Sequence, residues 1–336
     1  HMSSVSAVVS ANGRLFYIFD EAPRASILIP PKWRLIARDA FNGKLLWKRN
    51  IEQWHTHLWR LKSGPQLLPR RLVARGDRVY VTLGIDSPLS ALDAATGKTI
   101  RTYEGTKATE EILCPDGVLI LSVAGEDQPL RSDPKRRYAT LTEMNNDVTN
   151  PLWTQAPRTI MTIDPDSGRV LWQKESGLVS LSLAADGKRV IFHDGSRIQC
   201  LDQGTGQPLW SSEPLPKKEN MRSSGGATLV LYEDVVLYSG QFPAAKPKDR
   251  TTAMVALSIK DGKTLWQAPH HPGGHMGTPD DILVAGGLVW NGAVAQGRDS
   301  GTMTGRDPLT GQIKSEFAPD VETHWFHHRC YRAKAT

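Results

Sequence analysis

The chain has 336 residues, 39% of them hydrophobic and 23% charged, enough to bury a sizeable core in one large domain or two smaller ones. It has no apolar run long enough to span a bilayer, and its net charge of +6 is spread thinly, with no basic stretch interleaved with aromatics, which speaks against a nucleic-acid partner. Its three cysteines, Cys114, Cys200 and Cys330, stand far apart without a CxxC, which disfavours a sequence-defined zinc site or haem attachment.

In chain order, His1-Met2 reads as a cloning scar, and residues 3–336 read as one domain. Phe16-Tyr17-Ile18-Phe19 offers early strand material. A turn motif follows at Ile36-Ala37-Arg38-Asp39-Ala40-Phe41-Asn42-Gly43-Lys44-Leu45-Leu46-Trp47, and it recurs five more times. The marking residues are Asp39, Gly43 and Trp47; Asp93 and Gly97; Asp164, Gly168 and Trp172; Asp202, Gly206 and Trp210; Gly262 and Trp266; and Asp307 and Gly311. The six glycines lie 54, 71, 38, 56 and 49 residues apart, and the shortest interval matches a four-stranded blade of roughly 40 to 50 residues. Longer intervals hold insertions, notably the Pro- and Asn-rich stretch 128–157.

The motif has a local logic. An Asp carboxylate accepts hydrogen bonds from nearby backbone N–H groups, and Gly takes positive φ at little cost. The run into Trp suits an outer strand whose ring packs between neighbouring blades. Short apolar strands are predicted at 78–83, 117–121, 189–192 and 235–238, and few segments carry helical periodicity. The chain therefore reads as all-β, a β-propeller of four-stranded blades with six motifs. A ring must close to remove its edges, and the tail around Cys330 resembles a blade that stops before its own motif. That predicts seven or eight blades in the native protein and a chain truncated at its C-terminus.

The AxDxxTGxxxW pattern resembles the PQQ-like repeat shared by quinoprotein dehydrogenases and BamB-like assembly proteins, and the copies span residues 36 to 313. The segments 68–74 and 324–331 also resemble the PQQ-like modules of planctomycete-type proteins. The resemblance implies an extracytoplasmic, bacterial setting, with the periplasm first. A quinoprotein dehydrogenase of this family carries an adjacent cysteine pair, a calcium site and an Asp base. This sequence has no adjacent cysteines and no carboxylate that aligns with the base, so PQQ is not an expected cofactor.

The resemblance to BamB implies a binding or assembly scaffold whose partner is another protein or a further domain of the same parent chain. Trp54, Trp59 and Trp153 stand outside the repeat and read either as interface anchors or as filling beneath long loops. The alternative is a metal-dependent or redox enzyme. Six of the nine histidines beyond the scar fall late in the chain, at His270, His271, His275, His324, His327 and His328, with Cys330 beside them. They lie in two loops leaving equivalent places on successive blades, and imidazole and thiolate suit a transition metal. His55 and His57 mark a third loop, while Asp280 and Asp281 read as a turn or cap. No nucleophile elbow, phosphate-binding glycine loop or dinucleotide fingerprint is present.

Overall fold

Each copy does build a hairpin turn closed by its Gly, opened by Asp in five copies and by Ser258 in the fifth, and the rest of the fold follows from how that turn sets the strands. In the computed structural model, residues 5–23, 29–54, 68–125, 157–215, 227–239, 252–270, 282–292 and 302–318 are described. They form six four-stranded antiparallel sheets, one per motif, each with its strands hydrogen-bonded in sequence order. This is a β-propeller architecture. Among the described residues the only helical pieces are two short 3-10 turns, Leu68–Arg71 and Pro115–Gly117. None of their helices is long and apolar enough to cross a membrane.

The chain divides into two compact units, residues 1–176 and 177–336, with three sheets each. In the first unit, sheet I holds β1 (Val5–Ala11), β2 (Arg14–Asp20), β3 (Trp33–Asp39) and β4 (Leu45–Asn50). Sheet II holds β5 (Leu72–Arg75), β6 (Arg78–Thr82), β7 (Leu89–Asp93) and β8 (Thr99–Thr102). Sheet III holds β9 (Thr109–Leu113), β10 (Leu119–Ala124), β11 (Arg158–Ile163) and β12 (Val170–Ser176). In the second unit, sheet IV holds β13 (Ala184–Ala185), β14 (Arg189–His193), β15 (Ile198–Asp202) and β16 (Pro208–Ser211). Sheet V holds β17 (Thr228–Tyr232), β18 (Val235–Ser239), β19 (Thr252–Ser258) and β20 (Thr264–His270). Sheet VI holds β21 (Leu283–Ala285), β22 (Leu288–Gly292), β23 (Met303–Arg306) and β24 (Ile313–Phe317).

Every motif turn has the same wiring. In the first, the Gly43 N–H donates to the Asp39 carbonyl at 3.0 Å, and the Asp39 carboxylate accepts from the Phe41 and Asn42 N–H groups at 2.9 and 3.0 Å. Gly43 sits at φ +73°, and the other five motif glycines lie between +69° and +76°. In that left-handed region a Cβ is strained, which is why glycine recurs there. Sheet V puts Ser258 where the others have Asp, and the Gly262 N–H still closes the turn on the Ser258 carbonyl at 2.9 Å.

Each turn also leaves a register shift between the third and fourth strands. Ala37 pairs with Trp47 and Arg38 with Leu45, so Leu46 is skipped. The same shift skips Ile100, Leu171, Leu209, Leu265 and Lys314 in the other sheets. A bulge of this kind breaks strict alternation and re-aims the residues on either side of it. Here Trp47 and Trp266 turn into the core while the skipped aliphatic beside each stays exposed.

The core forms where successive sheets face one another. Phe16, Ile18, Leu35 and Ala37 of sheet I meet Leu72, Val79, Val81 and Leu92 of sheet II, with Trp47 between them. Sheets II and III join through Tyr80, Ala91, Tyr103, Ile112, Leu121 and Ile163. In the second unit, Val230, Leu237, Met254 and Trp266 of sheet V meet Val289 of sheet VI. The fourth strands are the exposed members of their sheets, with β8 exposed at all four residues.

Candidate functional site

The motif Trp is a docking device that joins one sheet to the turn of the next. The Trp47 indole N–H donates to the Ala94 carbonyl at 2.9 Å, Trp210 to Ile259 at 2.9 Å and Trp266 to Pro308 at 2.8 Å. In each case the acceptor directly follows the residue that opens the turn. The ring covers the turn glycine so closely that a Cβ on Gly97 would stand 2.6 Å from Trp47 Cδ2, and one on Gly311 would stand 2.7 Å from Trp266 Cδ2. The glycine therefore serves twice, for its φ and for the space it leaves.

Sheet II lacks the Trp and divides its work between two residues. Arg101, at the Trp position, lies over Gly168, whose Cβ would meet Arg101 Nη1 at 3.0 Å. The Tyr103 hydroxyl donates to the Pro165 carbonyl at 2.8 Å, taking over the hydrogen bond that the indole makes elsewhere. The absent Trp was visible in the sequence; its replacement two residues further on was not.

The histidine-rich candidates fall largely outside the described residues. His270 closes β20 and pairs in register with Thr252. His271, His275, His324, His327, His328 and Cys330 lie outside the described residues, as do His55, His57, Trp59, Trp153, Asp280 and Asp281. Among the described residues, no three His, Cys, Asp or Glu side chains group as a metal ligand set. Trp54, read as either anchor or filler, is filler: it is buried in the first unit's core, and its indole N–H donates to Ser6 Oγ at 2.9 Å.

His193, which the sequence did not single out, ends β14 fully buried. Its Nε2 lies 2.6 Å from the Leu215 carbonyl, and its Nδ1 accepts from the Gly195 N–H at 2.9 Å. Those partners assign a neutral ring with the proton on Nε2. The ring stacks on Tyr238 with centroids 4.9 Å apart. With both nitrogens engaged, this histidine is a structural pin. Cys200 is likewise buried, and burial pushes its thiol up to about 12, so it is inert as a nucleophile.

A second group missed by sequence reasoning lies in the first unit, where charged residues interrupt the apolar pattern. The 3-10 turn carrying Arg70 and Arg71 packs on β9, which carries Glu110 and Glu111. Arg71, Glu110, Glu111 and Arg158 are all buried. Arg158 Nε meets Glu110 Oε2 at 3.2 Å in an ion pair closed off from solvent. Arg71 Nη1 donates to the Ile85 carbonyl at 2.7 Å. Burial pulls the Arg71 guanidinium down to about 10, against the opposing pull of Glu110 and Asp86, so it remains charged at neutral pH. The signal available in the sequence was a spacing: Arg70-Arg71 and Glu110-Glu111 lie one blade length apart, each where a first strand should be apolar.

The exposed surface carries a different regularity. The residues skipped by the bulge are aliphatic in five sheets of six: Leu46, Ile100, Leu171, Leu209 and Leu265 are between 37% and 52% exposed. The sixth is Lys314. Five of the six sheet edges thus present an apolar side chain at the same place relative to the turn.

Comparison with known proteins agrees with this architecture. Residues 158–318, which contain four of the six turns, match the family model described as outer membrane protein assembly factor BamB. No curated protein matches the chain by sequence. BamB from Moraxella catarrhalis is similar over 96% of this chain and 92% of its own, at 14% identity and a TM-score of 0.50. Hsv2 from Kluyvelomyces marxianus is similar over 96% of this chain and 83% of its own, at 8% identity and a TM-score of 0.52. Identities this low speak to architecture alone, and the repeated turn together with the matched segment supports a PQQ-like β-propeller repeat.

Proposed function

We propose that the chain is a binding and assembly scaffold that works outside the cytoplasm and presents its sheet edges to a protein partner or to a further domain of its own parent chain. The observation that carries this reading is the row of exposed aliphatic residues at the bulges. A bulge by itself discourages one sheet edge from pairing with another. It has no need of a solvent-facing Leu or Ile, and a polar residue such as Lys314 serves as well. Retaining an aliphatic there in five sheets suits a contact surface, in which apolar centres carry the affinity and charged neighbours such as Lys48, Arg49 and Lys174 supply the rim. The matched family model, described as an outer membrane protein assembly factor, supports the same role and setting.

The test is site-specific photocrosslinking in the source organism's cell envelope, with the reactive residue placed at Ile100 or Leu209. A discrete protein adduct is expected at these positions. It should disappear when the remaining skipped residues are changed by Leu46→Asp, Leu171→Asp and Leu265→Asp, while the unfolding midpoint stays within the small range typical of surface substitutions. No adduct at either position, with a correctly folded protein, would reject the scaffold reading.

A further inference from the structure

We infer that the motif turn of sheet I is a docking socket for a tryptophan-bearing β-hairpin of a partner polypeptide, its indole lying over Gly43 and donating its N–H to the Ala40 carbonyl. The inference rests on the scaffold reading and names the partner's chemistry, at a site apart from the bulge residues.

The filled copies of the socket show what it takes. Each has a turn glycine, the carbonyl of the residue after the one that opens the turn, and an apolar side chain on the second strand. In sheet II these are Gly97, Ala94 and Val79; Trp47 of sheet I covers the first, donates to the second and shares a core with the third. In sheet VI they are Gly311, Pro308 and Val289, and Trp266 of sheet V does the same. Trp210 of sheet IV covers Gly262 and donates to the Ile259 carbonyl of sheet V. In these filled sockets Ala94, Ile259 and Pro308 are all buried, and Val79 and Val289 are shut off completely.

Sheet I has the same three parts in the same register, open to solvent. A Cβ added to Gly43 would meet nothing within 4 Å, and among the described residues no donor meets the Ala40 carbonyl. Ala40 and Gly43 are both exposed. Leu15 pairs with Arg38 as Val79 pairs with Leu92 and Val289 with Arg306, so it holds the third place, yet it is only half-buried. Leu15 and Tyr17 alternate with Phe16 and Ile18 and so lie on the face turned away from sheet II, where Val8, paired with Tyr17, is 56% exposed. Phe41, within the turn, is 90% exposed.

The fourth strand of sheet VI has no donor of the kind that fills the other sockets. It carries Ser315 at the Trp position and Phe317 where Tyr103 of sheet II lends its hydroxyl. Trp47, Trp210 and Trp266 are already committed to their own neighbours. The donor for sheet I is therefore assigned to another polypeptide. An indole suits it because one N–H answers the carbonyl while the flat ring covers the glycine. A hairpin that presents the indole also brings strand residues to cover Leu15 and Val8.

The experiment uses the full chain and a fluorescein-labelled, disulfide-closed hairpin peptide with the sequence of residues 254–268, which carries Trp266 four residues after Gly262. Saturable binding is expected by fluorescence anisotropy. In the peptide, Trp266→Phe keeps a ring but loses the N–H and should weaken binding about two- to ten-fold, the worth of one neutral hydrogen bond. Trp266→Ala should abolish binding. In the chain, Gly43→Ala sets a methyl group where the indole lies and should weaken binding about five- to a hundred-fold. The peptide series guards against misfolding of the chain variant. No saturable binding, binding indifferent to the Trp266 substitutions, or binding undiminished by Gly43→Ala would each overturn the inference. A chain that sediments as a dimer and is split by the peptide would also overturn it, by making a second copy the occupant. Failed crosslinking at Ile100 and Leu209 rejects the scaffold reading without deciding this result, because neither residue belongs to the socket.

Discussion

Adding a single methyl group to a motif glycine separates the two roles assigned to it. Gly43 and Gly97 occupy the same place in successive turns of the first unit, at φ +73° and +69°. Alanine in that left-handed region costs about 1–2 kcal/mol at either position. They differ in what a Cβ would meet: at Gly43 nothing lies within 4 Å, whereas at Gly97 Trp47 Cδ2 and Cε3 stand at 2.6 and 2.7 Å. Relief would need the indole to retreat by roughly an ångström, against a core at native density and a hydrogen bond to Ala94. Overpacking of this kind adds about 1–3 kcal/mol. Gly97→Ala should therefore destabilise the first unit by about 2–5 kcal/mol and Gly43→Ala by about 1–2 kcal/mol. Urea unfolding gives the global change, and hydrogen exchange of the β7 and β8 amides keeps the reading local to the unit where the change is made. On a Trp47→Ala background the excess at Gly97 should vanish, which a double-mutant cycle reads directly. Equal costs at the two glycines, or an excess that survives loss of the indole, would refute Trp-on-glycine docking as the joint between sheets.

Three further outcomes follow from the same geometry. Tyr103→Phe removes the donor to the Pro165 carbonyl and should lower unfolding free energy by about 0.5–1.5 kcal/mol in chemical denaturation. The motif carboxylates Asp39, Asp93, Asp164, Asp202 and Asp307 are all held below the ordinary value of 3.8 by hydrogen bonds from their own turns. A depressed folded-state value means stabilisation that is complete above about pH 4 and is lost as pH falls through the lower, folded-state range. The thermal midpoint should drop across that window, and less so after Asp93→Asn, Asp202→Asn and Asp307→Asn, which keep an acceptor oxygen without the titration; parallel acid profiles would contradict this. Cys200, buried and with a raised pKa, should resist iodoacetamide at pH 8 in the native protein and react fully in denaturant, as read by mass spectrometry.

The propeller was legible because its signature is local. Asp39 to Gly43 spans five residues, and the hydrogen bonds that make the turn are all contained within it. Six copies at blade spacing then determine the architecture, and the strands predicted around 78–83 and 235–238 differ from the observed ones by a residue at most. The Trp at the fourth residue after Gly was likewise readable as packing between sheets.

What escaped the sequence depends on partners far along the chain. The skipped residue at each bulge is defined by pairing across two strands, so nothing in the run Lys44-Leu45-Leu46-Trp47 tells that both leucines face water while the Trp turns inward. The relay from Arg101 to Tyr103 becomes visible only when the Pro165 carbonyl is seen waiting for a donor. Trp54 read equally as anchor or filler and His193 drew no notice, and tertiary structure gave both a packing role by supplying their nitrogens with partners at Ser6, Leu215 and Gly195. The buried arginines and glutamates show the same division. The sequence by itself determined that charges fall at the starts of two first strands, one blade apart. Only the tertiary structure decided that they are shut away from water, because burial and hydrogen-bond partnership belong to neighbours in space rather than to neighbours along the chain.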